Sequence, residues 1–266
     1  MMRSLLTITT AIALGAPIRT APPSINEFRP SAHGFAFANS FKGSPLPGAL
    51  GVFGGALGAA AGAPSSFGLC GGMSFVAADF YLAGRAIPAT STVPARGHPL
   101  YDYIYARQVD SLGPNIELAA KFSRWMDVPD QGPVSAGAFT LGALPPMLDQ
   151  LGRGEPVVLG LVLTDSSRSR EPWHNHQVLA CEAAMEAESP RGITRCTFRI
   201  YDPNYPRADG ASVRIDLRAF GLVRIGHDLS PVLGAQAIRE VPGFRATRIR
   251  GVFDMPYEPR TPPDGL

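Results

Sequence analysis

The stretch that decides the fold is residues 67–84, FGLCGGMSFVAADFYLAG. Its apolar side chains follow the i, i+3, i+4, i+7 spacing of a helix buried along one side, at Met73, Val76, Ala77 and Phe80. Gly84 is a C-terminal stop signal. The pattern predicts an amphipathic helix that begins at Cys70. Unpaired N–H groups and the positive end of the helix dipole there favour a thiolate, which is the nucleophilic form of cysteine.

Composition places the chain among globular proteins with one large domain. It has 266 residues, of which 45% are hydrophobic, and this is enough to bury a full core. Charged residues make up 17% and the net charge is +2, without the basic stripe of nucleic-acid-binding proteins, so we expect no nucleic-acid partner. The three cysteines are widely spaced and form no CxxC pair, which argues against a disulfide framework or a structural zinc site.

The first 33 residues are expected to be a leader. Arg3 precedes an apolar run at residues 5–16, and small residues at its end resemble a signal-peptide cleavage site. A disordered leader or an early start codon are the alternatives, so the chain is secreted or periplasmic in the first case and cytoplasmic otherwise. The run is too short to cross a membrane and no other segment reaches about 18 apolar residues, so we expect no integral span.

The rest of the chain predicts helices first and a sheet after them. Residues 34–41 alternate like a short strand, whereas the Gly-, Ala- and Pro-rich residues 45–66 fit either a loop or a helix. Further helices are expected at residues 99–110, 116–126 (capped by Asn115) and 147–151. A central buried strand is expected at residues 156–163 and half-buried strands at residues 176–182, 194–201 and 213–218, with residues 247–253 as a further candidate strand.

This order predicts an α+β fold rather than alternating βαβ units. The expected domain covers residues 34–258. A helical half at about residues 65–152 carries the Cys70 helix, and an antiparallel sheet half covers about residues 155–254. Residues 259–266 form a tail.

Two strand ends carry groups that nucleophilic catalysis by a cysteine requires. His176 opens one predicted strand, and Asp202 closes the next. If residues 184–193 form the hairpin between them, the strands are antiparallel neighbours, and pairing position 176 with position 202 brings the two side chains together. The combination of a thiol, an imidazole base and a carboxylate that orients the imidazole is suited to acyl transfer.

Side chains alternate between the two faces of paired strands, so this pairing also predicts which residues share a face. Val178 and Ala180 share an apolar face with Cys196, and we expect that face to pack on the helical half. Cys181 lies on the opposite face from Cys196. We therefore predict that these two cysteines are not disulfide-bonded.

The order of these motifs resembles that of the papain-like cysteine peptidases. The resemblance consists of a Cys at a helix start after Gly-rich sequence, a His before an apolar strand, and Asp-Pro closing the next strand, and it covers roughly residues 65–205. It is closest to bacterial members with a Cys-His-Asp triad, such as the double-glycine leader peptidases. The resemblance implies a nucleophile helix packed on the sheet, with Cys70 as nucleophile, His176 as base and Asp202 as its orienting group. It also implies a peptide or protein substrate and no cofactor.

The sequence departs from that family before the nucleophile. The family usually places a Gln about six residues before the Cys to complete the oxyanion hole, but position 64 is Pro. The backbone N–H of Cys70 supplies one donor, and Ser65, Ser66 or Asn39 are candidates for the second. The substrate-groove candidates are Gly71, Gly72, Trp173 and His174.

Several of these assignments have alternatives. His174 has the same parity as His176, so it is a second candidate for the base. A His-x-His pair is also a metal-ligand pattern, but no further ligand stands at suitable spacing, so we expect no metal. Asp202 begins a common turn sequence, and a lone cysteine such as Cys70 is most often a buried packing residue.

Three functions are compatible with these residues: a cysteine peptidase, a transglutaminase-like or deamidating enzyme, and a papain-like binding module without catalysis. The sequence makes no prediction about the oligomeric state.

Overall fold

The computed structural model describes residues 23–42, 66–113, 117–189, 192–225 and 228–266. The signal-like run, nearly all of residues 45–66 and the expected cap Asn115 lie outside these ranges. The described part of the chain is a mixed α+β structure with five helices, a curled antiparallel sheet of seven strands and a separate two-stranded ribbon.

The helices are α1 (Pro30–His33), α2 (Cys70–Leu82), α3 (Pro99–Asp110), α4 (Glu117–Asp127) and α5 (Ala136–Gly152), with 3-10 turns at Ile25–Glu27 and Pro172–His174. The ribbon consists of β1 (Phe41–Lys42) and β2 (Ser66–Phe67). The large sheet contains β3 (Val157–Val162), β4 (His176–Ser189), β5 (Gly192–Tyr201), β6 (Ser212–Ile225), β7 (Asp228–Glu240), β8 (Thr247–Ile249) and β9 (Gly251–Met255). None of the helices in the described ranges has the length and apolarity needed to cross a bilayer.

Helix α2 is the centre of the molecule. It begins at Cys70 as predicted, and Gly84 follows its end with a φ of 64°, a conformation that favours glycine. The expectation that only one side of the helix is buried is wrong, because every residue from 71 to 81 is buried. Its many small side chains allow α3 and the sheet to approach closely.

The sheet curls because its two edges are joined by a single residue. The strand order is β8-β7-β6-β5-β4-β3-β9, so β8 and β9 lie at opposite edges although only Arg250 separates them in sequence. The N–H of Arg250 donates to the carbonyl of Val162 over 2.8 Å. Its guanidinium binds the Asp130 carboxylate at 2.6 Å. Arg250 thereby holds the two edges together.

Most of the predicted helices and strands are present in the structure, but several of them begin or end at other residues. Helix α3 has the predicted bounds, whereas α5 begins at Ala136, well before the predicted residue 147, and contains Pro145 and Pro146. Strand β7 was not predicted, since Pro231 and Gly234 interrupt its pattern. The predicted strand at 34–41 is reduced to β1, and the strand at 247–253 is divided into β8 and β9.

The chain after β9 returns to the helical half and is fixed there by the buried carboxylate of Asp79 in α2. Asp79 is 1% exposed and accepts hydrogen bonds from Arg107 at 2.8 and 3.1 Å, from the hydroxyls of Tyr103 and Tyr257 at 2.7 Å each, and from the N–H of Arg260 at 2.9 Å. Burial and the neighbouring Asp79 raise the pKa of both tyrosines, so both remain donors. This network links the sheet to α2 and α3.

Candidate active site

Cys70 occupies the first turn of α2, at an end of the helix with free backbone donors. Leu69 is the N-cap residue, and the first intrahelical bond runs from Met73 N–H to Leu69 C=O over 2.9 Å. The N–H of Gly72 donates to Oε1 of Gln108 over 3.0 Å. Within the described ranges, the N–H groups of Cys70 and Gly71 have no acceptor, and they lie at the positive end of the helix beside the thiol.

His176 lies next to Asp202 as predicted, although the register of the two strands differs from the predicted one. Observed pairs are Leu179 with Tyr201 and Ala180 with Ile200, so the continued register places position 202 opposite position 178. The predicted pairing is off by two residues, which keeps the parity, and the two side chains are diagonal neighbours. Nε2 of His176 lies 2.7 Å from Oδ1 of Asp202.

Strand β4 differs from the half-buried strand that was expected. Residues 178–181 are all fully buried, so this part of β4 is covered on both faces. Helix α2 approaches the face of Gln177, whose Oε1 would lie 2.2 Å from a Cβ built on Gly71. Val178 and Ala180 belong to the same buried apolar cluster as Phe75 and Ala78 of α2. A bulge at Cys181 also shifts the later register, and all three cysteines are free, as predicted for Cys181 and Cys196.

The buried carboxylate of Asp202 has polar contacts with three residues. Besides His176, Oδ1 accepts the N–H of Asn204 at 2.9 Å, and Oδ2 accepts Nη1 of Arg239 at 3.1 Å. Burial raises the pKa of Asp202, but His176, Arg239 and the hydrogen bonds outweigh it, and the net pKa is lowered. Asp202 is therefore an anion although it is only 1% exposed.

His176 connects this carboxylate to the thiol. Burial lowers the pKa of its imidazole, whereas the charge and hydrogen bond of Asp202 and a hydrogen bond with the Cys70 thiol raise it, and the net pKa is raised. Because Nε2 is bound to Asp202, Nδ1 is the ring nitrogen left for the thiol. Cys70, His176 and Asp202 are thus neighbours in this order, with the imidazole of His176 between the thiol and the carboxylate.

Arg239 is the member of the site that the sequence prediction missed. It projects from β7, is 8% exposed, and stacks over the ring of Tyr205 with its guanidinium 5.4 Å from the centroid. Because β7 was not predicted, Arg239 had no assigned face. The sequence did contain one indication of its role. Arg239 alternates with the buried Ala235 and Ala237 on the same face of the strand, and a charged side chain on a buried face requires a polar partner.

His174, the second candidate for the base, and the candidates for the substrate groove do not lie where the sequence analysis expects them. His174 and Trp173 lie on the exposed 3-10 turn before β4, and the His174 ring contacts Ser169 Oγ at 2.7 Å and Glu171 at 3.3 Å. His176, not His174, is therefore the imidazole that lies beside Asp202. Gly71 and Gly72 are buried packing positions rather than groove residues, because α3 and β4 cover them.

The structure also bears on the three candidates for the second oxyanion donor. Ser65 lies outside the described residues, and Ser66 is exposed in β2. Asn39 accepts the N–H of Leu69 at 2.6 Å and donates its amide to Oδ1 of Asn204 at 3.0 Å. One N–H of its amide is thus bonded to Asn204, whereas the backbone N–H groups of Cys70 and Gly71 have no acceptor among the described residues and remain candidates for the oxyanion donors.

Gly72→Ala tests the close approach of α3 to α2. A Cβ at this position would lie 2.1 Å from the carbonyl oxygen of Ile104, so we expect the variant to lose about 1–3 kcal/mol of unfolding free energy in urea denaturation. Gly142→Ala in α5 is the matched control, because its Cβ meets nothing within 4 Å, and it should be neutral or stabilising. Equal stability of the two variants would show that the helices are not packed as described.

Neither a family model, a curated protein nor a solved structure matches the chain. The function is therefore inferred from the geometry of this site.

Proposed function

We propose that the chain is a papain-like cysteine hydrolase that cleaves a peptide or isopeptide bond through a thioester on Cys70. The observation that carries the proposal is the buried His176, whose Nε2 lies 2.7 Å from the Asp202 carboxylate and which has the Cys70 thiol as a neighbour. A nucleophile at the start of a buried helix, facing a His and an Asp from neighbouring antiparallel strands, is the arrangement that the papain-like resemblance implies.

The reaction follows from these positions. The thiolate of Cys70 attacks the carbonyl carbon of the scissile bond, and the oxygen takes the negative charge beside the free N–H groups at the start of α2. His176 gives its proton to the leaving amine as the C–N bond breaks, which leaves an acyl thioester. Water then attacks the thioester with His176 as base, and the Cys70 thiol and a carboxylic acid are released. Asp202 orients the imidazole and stabilises its charged form.

A binding module without catalysis is the second candidate, and the Pro at position 64 favours it. Without a side-chain donor before the nucleophile, the backbone alone must stabilise the oxyanion. Removing one oxyanion donor from a hydrolase typically lowers kcat by about 10²–10³-fold. A slow enzyme would still show turnover that requires Cys70, whereas a binding module would show no turnover.

Peptide turnover with product analysis separates the candidates. We expect mass spectrometry of a mixed peptide library to show new chain ends with the wild-type protein and at least a 100-fold lower cleavage rate with Cys70→Ala. Ammonia release without cleavage would indicate deamidation of glutamine by the same residues. Peptides that are bound but left uncut equally by both proteins would establish a binding module and overturn the proposal.

A further inference from the structure

Asn39 lies where the two halves of the candidate site meet. It stands between α1 and β1, and its backbone N–H donates to the carbonyl of Pro203 over 2.9 Å. Its side chain bridges Leu69, the N-cap residue of the nucleophile helix, and Asn204, which follows Asp202 by two positions. The hydrogen bonds that Asn39 makes to other described residues thus all go to positions within two residues of Cys70 or Asp202.

The orientation of the Asn39 amide is fixed by its partners. The N–H of Leu69 can only donate, so the atom 2.6 Å from it is the carbonyl oxygen Oδ1. The NH₂ group must then face Asn204, whose Oδ1 lies 3.0 Å away. Leu69 has no polar side chain to cap α2, so Asn39 satisfies the backbone donor at this helix end from outside the helix.

Gly68 shows how closely Asn39 approaches the nucleophile segment. A Cβ built on Gly68 would lie 2.7 Å from Nδ2 of Asn39. A side chain at position 68 would therefore require the Asn39 amide to move. This contact gives a physical reason for glycine two residues before Cys70.

The bonds around Asn39 close a ring through the candidate site. Asn204 donates its N–H at 2.9 Å to the same oxygen of Asp202 that binds His176, and the Cys70 thiol is a neighbour of His176. From Cys70 the ring returns through Leu69 to Asn39. Asn39 joins this ring from a separate segment of the chain, between α1 and β1.

We propose that Asn39 is a positioning residue that sets the distance between the thiol of Cys70 and the His176–Asp202 pair. This inference depends on the proposed function, because it assigns Asn39 a task within that site. Its NH₂ group binds the Asp202 turn through Asn204, and its oxygen binds the start of the helix. A displacement of about 1 Å between reacting groups can lower a rate about 100-fold, so a partial loosening is expected to be measurable.

The test measures the rate of Cys70 alkylation by iodoacetamide at pH 6.5, followed by peptide mapping. Asn39→Ala is expected to lower the rate roughly 10-fold. Asn39→Asp keeps an acceptor for Leu69 but has no N–H for Asn204, so it should also be slower, and it allows the test if the alanine variant does not fold. Ser31→Ala is the matched control, because it removes a 2.6 Å bond from the same N-terminal region to Asp209, outside the ring, and should stay within 2-fold of wild type.

A double-mutant cycle shows whether Asn39 acts through the Asp202 turn. If it does, Asn39→Ala and Asn204→Ala combined should lower the rate less than the product of the two single effects. A rate in Asn39→Ala and Asn39→Asp equal to that of Ser31→Ala would overturn the positioning role while leaving the proposed function intact. If His176→Ala also leaves the rate unchanged, the proposed function itself fails, and the positioning role fails with it.

Discussion

Asp202→Asn is expected to lower the rate of Cys70 alkylation at pH 6.5 by about 100-fold. Without the carboxylate charge, burial is the main influence left on His176 and lowers the pKa of its imidazole, so the cation that stabilises the thiolate is lost. An ordinary cysteine, with a pKa of about 8.5, is only about 1% thiolate at this pH. Quenched-flow alkylation with mass-spectrometric readout gives the rate. A rate within 2-fold of wild type would show that Asp202 does not act on the thiol.

The same pair predicts a pH-dependent contribution to stability. The folded-state pKa of His176 is raised, so its contribution is complete below its ordinary pKa of 6.5 and is lost as the pH rises towards the folded value. The pKa of Asp202 is lowered, so its contribution is complete above 3.8 and is lost as the pH falls through the lowered value. The difference in unfolding free energy between wild type and Asp202→Asn should therefore be largest between about pH 4 and 6.5. A difference that grows above pH 7 in urea denaturation would contradict these signs.

Asp79→Asn is expected to have the largest effect on stability, a loss of about 3–5 kcal/mol of unfolding free energy. The side chains of Asp79 and Arg107 are 0% and 1% exposed, so the substitution leaves a buried guanidinium without its main counter-charge. The hydroxyls of Tyr103 and Tyr257 also lose an anionic acceptor. For a chain of this size, the melting temperature should fall by roughly 10 °C in calorimetry.

A surface ion pair provides the control for this prediction. Asp254 lies 3.6 Å from Lys121 and its side chain is 44% exposed, so Asp254→Asn removes a carboxylate of the same type from water rather than from the interior. We expect a change within about 0.5 kcal/mol. If the two variants have equal stability, the tail network around Asp79 does not hold the sheet to the helices.

The parts of the site that could be predicted from sequence are those encoded by local patterns. Helix periodicity placed Cys70 at the start of α2, and the two-residue period of β4 and β5 placed His176 beside Asp202. The register itself was off by two residues, because the bulge at Cys181 and the long hairpin beyond it follow from packing that no local pattern contains.

The remaining members of the site depend on contacts between distant segments. Arg239 reaches Asp202 through a strand in which Pro231 and Gly234 hid the β pattern. Asn39 contacts Leu69 and Asn204 from a segment without regular structure. Gly71 and Gly72 resembled groove residues because of their flexibility, whereas the structure uses their small size for helix packing. Such roles are set by the three-dimensional neighbours of each residue.

The most direct test of the central claim is the alkylation rate of Cys70 at pH 6.5 in the wild-type protein and in His176→Ala. Cys181 and Cys196 serve as internal references, because both are buried and burial raises the pKa of each thiol to about 12. We expect Cys70 alone to be alkylated rapidly in the wild type, and about 100-fold more slowly once His176 is removed. An unchanged Cys70 rate in His176→Ala, or a wild-type Cys70 no more reactive than Cys181 and Cys196, would contradict a functional pairing of this thiol with His176.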